Sequence, residues 1–184
     1  MTSVICELLL CIACLWACAI SLKDRQGWRA CGFLSIAATA LVGALVYAGV
    51  EQVQPAHQAM SGVSGRIALL LIAVGSLHRM SHRWLLLAAA ALMLWAPQQW
   101  ALAGNLLALI AIAWPGRSQR WPLAVAGSLL FIFAGLVVGA RGEWHGIARQ
   151  DIYHLTLMLA ALSWGIARLV STRPQPRLPA PLAR

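Results

Sequence analysis

Charged side chains are scarce in this chain: Lys, Arg, Asp and Glu together make up 10% of its 184 residues. A soluble domain carries roughly 25%, so a water-facing globule is excluded, as is room for a second soluble domain. With a mean hydropathy of +0.76, the composition is that of a polytopic membrane protein. Acids are the scarcest charges: Glu7, Asp24, Glu51, Glu143 and Asp151 are all there are. A serine nucleophile elbow, a phosphate-cradling glycine loop and a dinucleotide fingerprint are also missing, which removes the common soluble-enzyme classes. No internal repeat is visible. The net charge of +9 has no basic face or stacking aromatic run beside it, so no nucleic-acid partner is expected. The lipid bilayer is.

Cysteine is present, but not as a disulfide framework. Cys11, Cys14 and Cys18 follow i, i+3, i+7 spacing with Glu7 four residues before them. On a helix these four share one stripe, which reads as packing surface rather than as a thiol site. Cys6 and Cys31 complete the five.

Apolar runs are plentiful. Spans are expected at about 4–22, 30–50, 60–80, 84–96, 100–114, 121–140 and 151–170. The third starts as early as His57 and carries Arg66. The stretch 84–113 would overshoot a roughly 30 Å hydrocarbon core as one helix, so Pro97-Gln98-Gln99-Trp100 is taken as a turn between two short spans. No basic residue precedes the first run and Lys23-Asp24-Arg25 follows it. That is the reverse of a signal peptide and predicts a retained helix with its N-terminus outside.

Charge asymmetry tests the count. With seven spans, eleven basic residues fall on the cytoplasmic side (Lys23, Arg25, Arg29, Arg79, Arg83, Arg117, Arg120, Arg168, Arg173, Arg177, Arg184), and only Arg66, Arg141 and Arg149 lie outside. A six-span chain would put the Arg-rich tail outside, against the positive-inside bias. Trp28, Trp84, Trp95, Trp100, Trp114, Trp121 and Trp144 all fall near span ends, as an aromatic belt requires. The expected fold is therefore all-α: a single seven-helix transmembrane domain over residues 1–170 with its C-terminus cytoplasmic. A disordered basic tail, 171–184, follows. The expected setting is a bacterial-type inner membrane.

This orientation gathers Glu7, Glu51, His57, Glu143, His145, Asp151 and His154 on one side. Arg141 to His154 is the densest polar stretch, and it runs directly into the last span. Asp151 and His154, three apart, share a helix face. Ionisable groups at a membrane boundary are costly and tend to be functional. Three imidazoles and nearby carboxylates suffice for a catalytic zinc, with three protein ligands and an open position. His57, His154 and His145 are the candidate ligands, and Glu51 and Asp151 the candidate catalytic carboxylates. Helix N-capping accounts equally well for Asp151. His78 and His82, four apart among arginines, read as interfacial, Asn105 as an interhelical hydrogen bond, and Gly135-x-x-x-Gly139 as a packing motif.

Arg149-Gln150-Asp151-Ile152-Tyr153-His154, leading into a final span, with His57 at an earlier one, resembles the CREST-type seven-helix membrane hydrolases. That superfamily includes alkaline ceramidases and progestin/adiponectin-type receptors; the chain looks like a bacterial relative. The resemblance implies zinc-dependent hydrolysis of a lipid amide or ester, with His57 the early ligand, His154 the late one and Asp151 a neighbouring acid. The family's last-span HxxxH is not matched, since Gln150 and Met158 flank His154 at four residues. No Ser-x-x-x-His leads into His57 either, since Val53 stands four before it. The alternative expectation is a non-catalytic assembly or scaffold subunit, or a small carrier, with a membrane-protein partner.

Overall fold

The computed structural model describes residues 2–75 and 80–169; His78, Arg79 and the tail 171–184 lie outside the described residues. Among the described residues there are seven α-helices: α1 (Thr2–Lys23), α2 (Gly27–Tyr47), α3 (Gln54–Val74), α4 (Met80–Trp95), α5 (Gln98–Ala113), α6 (Trp121–Phe133) and α7 (Arg149–Ala167). A 3-10 turn at Glu51–Val53 precedes α3, and a π-helical turn at Ala134–Val138 extends α6. Two short antiparallel strands, β1 (Glu143–Trp144) and β2 (Ile147–Ala148), make a hairpin ahead of α7.

By length and composition, α1, α2, α3 (with the preceding turn) and α6 (with its π turn) are long and apolar enough to cross a membrane. α4 and α5 are apolar but shorter. α7 has the length, but Gln150, Asp151 and His154 in its first two turns lower its hydropathy. Pro97 separates α4 from α5, because its ring cannot continue a helix and it lacks the N–H.

Neighbouring helices close a ring: α1 packs on α2, α2 on α3, α3 on α5, α5 on α6, α6 on α7, and α7 back on α1. α4 lies outside it, against α3 and lightly against α5. One end of the ring holds Thr2, Tyr47, Gln54 and Arg149 (the Tyr47 end). The other holds the α1–α2 turn and the C-termini of α3, α5 and α7 (the Asp24 end). Large apolar side chains face outward all round, among them Leu8, Ile12, Leu41, Leu107 and Leu136. Many inward positions are small. Ala13, Ala17, Ala37, Ala40, Ala73, Ala108 and Ala161 are buried, as expected where helix association depends on close backbone approach rather than on hydrophobic transfer.

The stripe on α1 faces inward: Glu7, Cys11, Cys14 and Cys18 are all buried, and the cysteines are free. Trp164 is the largest fully buried side chain. It stacks on Phe131 with ring centroids 5.8 Å apart and donates its indole N–H to the Ala124 carbonyl at 3.3 Å. Gly127 makes this possible, since a Cβ there would stand 2.7 Å from the Trp164 ring. Gly135 and Gly139 pack against nothing within 4 Å at that position. Gly139 instead ends the π turn at φ 65°, so the motif serves as a helix stop.

Three arginines, one buried and two half-buried, donate to backbone carbonyls. Arg29 donates to the Trp164 carbonyl at 2.6 Å and lies over the Phe33 ring. Arg66, midway along α3, donates to the carbonyls of Met93, Leu94 and Ala96 at 3.1, 2.9 and 2.7 Å. These are carbonyls that the end of a helix leaves without an intrahelical partner. At the Asp24 end, Arg168 pairs with Asp24, whose charge and hydrogen bond raise the guanidinium's pKa. Arg117, in the α5–α6 loop, donates to Ala111 and Ala73, and burial lowers its pKa from the ordinary arginine value.

Candidate functional site

A carboxylate one turn into an apolar helix has to find a partner or a proton, because bare charge in a low-dielectric interior is expensive. Glu7 is 1% exposed. Its Oε1 lies 3.4 Å from His154 Nδ1 on α7, yet neither atom makes a hydrogen bond. The third member is His57, on the first turn of α3. A Cβ on Gly43 of α2 would stand 2.5 Å from Glu7 Oε1 and 3.0 Å from His57 Cε1. The missing side chain at Gly43 is therefore the space in which Glu7 and His57 meet. Asp151, one turn before His154, is 5% exposed and lies within electrostatic reach of Glu7 and His154.

Four buried atoms in this cluster lack a hydrogen-bond partner: Glu7 Oε1, His57 Nδ1, Asp151 Oδ1 and His154 Nδ1. Native interiors pair nearly all such groups, so a concentration of orphans asks for an explanation such as an ion, a water or a catalytic role. Two carboxylates this close repel when both are ionised. Charge balance here requires protons or a cation. The donor set of two imidazoles and two carboxylates suits a borderline-soft divalent ion. Among the described residues, however, no three His, Cys, Asp or Glu side chains stand ready-made around one metal position.

The cluster opens into a cavity of about 300 Å³ inside the ring. Glu7, His57, His154, Tyr153 and Gln150 line its Tyr47 end. Thr39, Ser61 and Ser64 supply hydroxyls along α2 and α3, and Leu10, Ile36, Leu69, Phe131 and Leu157 make the remainder apolar. Gln150 donates to the Tyr47 hydroxyl, tying the start of α7 to the end of α2 above the cluster.

The residues singled out in the sequence divide into two groups. His57 and His154 both line the cavity, and Asp151 is buried beside them. Asp151 is not the N-cap of α7: the helix starts at Arg149, Ala148 is the capping residue, and no side chain caps it. Asp151 is buried in the bundle instead, with Oδ1 unpaired. Glu51 is exposed on the 3-10 turn, and His145 is exposed at the tip of the hairpin with its ring over Trp144. Neither lines the cavity. Glu7 is the member that spacing conceals, because its register with the cysteines reads as packing. The signal that marks it is a lone acid inside an otherwise uncharged span.

Fold and cavity together are those of a helical membrane protein with a buried carboxylate–imidazole cluster near one end. No family model matches the chain, and neither a curated protein nor a solved structure is significantly similar to it.

Proposed function

We propose that the chain is a seven-span integral protein of a bacterial-type inner membrane, with the Tyr47 end outside, and that its cavity hydrolyses a lipid amide or ester with the help of a bound zinc ion. The observation that carries this reading is the convergence of three buried, unpartnered atoms from Glu7, His57 and His154 on one cavity, with Asp151, also unpartnered at Oδ1, buried beside them. His57 and His154 would hold the ion, and Asp151 would bind it or orient His154. When bound, zinc supplies Lewis acidity toward a carbonyl and lowers the pKa of a water. Glu7, rather than the exposed Glu51, would take up and return a proton at Oε1. The hydroxyls of Thr39, Ser61 and Ser64 orient the polar part of the substrate, and the apolar walls exclude bulk water.

The test uses purified protein in detergent, assayed for zinc by mass spectrometry and for hydrolysis of N-acyl and O-acyl lipids. Wild type is expected to retain zinc and turn over one of the two classes. His154→Ala is expected to lose zinc affinity by more than about 100-fold, beyond what loss of an outer-shell partner costs. Equal zinc in both proteins, or none in either, would overturn the metal assignment.

An assembly subunit is the second reading, favoured by the exposed Trp144 and Ile147 on the β1–β2 hairpin. It predicts a stoichiometric membrane-protein partner that is lost on Trp144→Ala, with no lipid turnover.

A further inference from the structure

We infer that the cavity receives the hydrocarbon chain of a single-chain amphiphile directly from the surrounding leaflet, through a lateral portal between α3 and α6. The portal rests on the reading of the cavity as a lipid site and specifies how the ligand arrives and how many chains it brings.

The ring of helices has one weak sector. α3 and α6 both contribute to the cavity wall, through Gly65 and Phe131 among others, yet they have at most marginal direct contact among the described residues. Only α5 stands between them. Its contact with α6 is among the slightest in the ring, and it is 16 residues long. Gly65 lines the cavity and is nevertheless exposed. It lies eleven residues beyond Gln54, roughly 16 Å along the helix, near the middle of a hydrocarbon core about 30 Å thick. An opening at that depth faces acyl chains, not water.

The edge of the portal is built to tolerate this. A backbone carbonyl facing lipid has to be satisfied internally; Asn105 of α5 donates to the Gly65 carbonyl at 2.7 Å. A Cβ on Gly65 would meet nothing within 4 Å, so the space beside it is open. Polarity along the cavity is graded in the matching sense. Glu7, His57 and His154 lie toward the Tyr47 end, while Leu69, Phe131 and Leu157 lie deeper. An amphiphile from the leaflet on the Tyr47 side can place its polar group at the cluster with its chain leaving sideways. A volume of about 300 Å³ is at the small end for ligand pockets and takes one chain rather than two.

The experiment is photolabelling of the full chain in phosphatidylcholine vesicles with a single-chain fatty amide carrying a mid-chain diazirine. Two variants are compared, Gly65→Leu and Gly62→Leu. Both positions are exposed on α3 with open space around a Cβ, so both variants are expected to fold, but Gly62 does not line the cavity. Wild type and Gly62→Leu should crosslink on peptides containing Leu69, Phe131 or Leu157. Gly65→Leu should lose at least about tenfold of that signal, because a bulky side chain then fills the opening. Undiminished labelling in Gly65→Leu, equal loss in both variants, or no cavity labelling in wild type would each overturn the portal. Labelling requires neither zinc nor turnover. If hydrolysis is absent while the Gly65-dependent labelling persists, the enzyme reading falls and the portal stands. If hydrolysis occurs while Gly65→Leu labels as wild type does, the portal falls and the enzyme reading stands.

Discussion

Gly43 shows how a residue with no side chain can govern one. The absent Cβ lets the Glu7 carboxylate and the His57 ring occupy the same small space. In Gly43→Ala, the group that must yield is the end of a Glu side chain, which moves more easily than backbone. The stability cost should therefore sit near the low end for overpacking, about 1 kcal/mol, while zinc retention and lipid turnover should fall sharply. Thermal unfolding in detergent together with metal content checks this. A variant that unfolds without first losing metal would count against the assignment. At this scale the sequence is partly legible. His57, Asp151 and His154 stand out as ionisable groups beside apolar runs. Glu7 is hidden by its regular spacing to Cys11, Cys14 and Cys18, and Glu51 and His145 look equivalent to the rest until the chain closes and leaves them exposed. Proximity across helices is what decides among such residues, and one-dimensional spacing does not encode it.

Among the elements, the α4–α5 hairpin depends most on a single distant side chain. Arg66 supplies donors to three carbonyls at the end of α4, and α4 and α5 themselves touch only lightly, each packing mainly on α3 or the ring. Arg66→Gln should cost about 1 kcal/mol, the low end of the penalty for unsatisfied acceptors, because these carbonyls are part-buried or exposed. Arg66→Lys should recover part of it, since an ammonium donates without matching the geometry of the guanidinium fork. Hydrogen exchange should rise in the amides of Leu92–Ala101 and not in α1; unchanged exchange there would show that the turn holds itself. The split at Pro97 is readable because proline breaks a helix for local reasons. The β1–β2 hairpin is not. Its strands are two residues each, below any periodic signal, and its turn depends on His145 and Gly146 both taking positive φ. Glycine favours that geometry and histidine adopts it more readily than most residues, but His-Gly is not one of the pairs, such as Asn-Gly or Asp-Gly, that mark a two-residue hairpin turn.

Over the whole molecule, hydropathy makes the helical membrane class plain, because outward apolar and inward small residues are a matter of composition. Helix order around the ring is not legible, since α1 meeting α7 and α3 meeting α5 are long-range choices. The short α4 and α5 leave the seven-span reading resting on charge asymmetry: Lys23, Arg25, Arg117, Arg120 and Arg168 gather at the Asp24 end, and Glu7, Glu51, Glu143 and Asp151 at the other. A reporter fused after Arg184 should give a cytoplasmic signal, and one inserted at His145 a periplasmic one. A periplasmic signal from the C-terminal fusion would sink the orientation.

Glu7 and its partners also impose an order of events during synthesis. Glu7 belongs to the first helix, whereas Asp151 and His154 belong to the last. With translation at roughly 5–20 residues per second, the carboxylate waits on the order of ten seconds in or beside the bilayer before those partners exist. Throughout that interval its cheapest state is the neutral acid, and α1 can leave the insertion machinery as an ordinary apolar segment. The arrival of α7 then completes the cluster. A nascent chain truncated before Arg149 would keep Glu7 and His57 but lack Asp151, His154 and the α7 wall of the cavity.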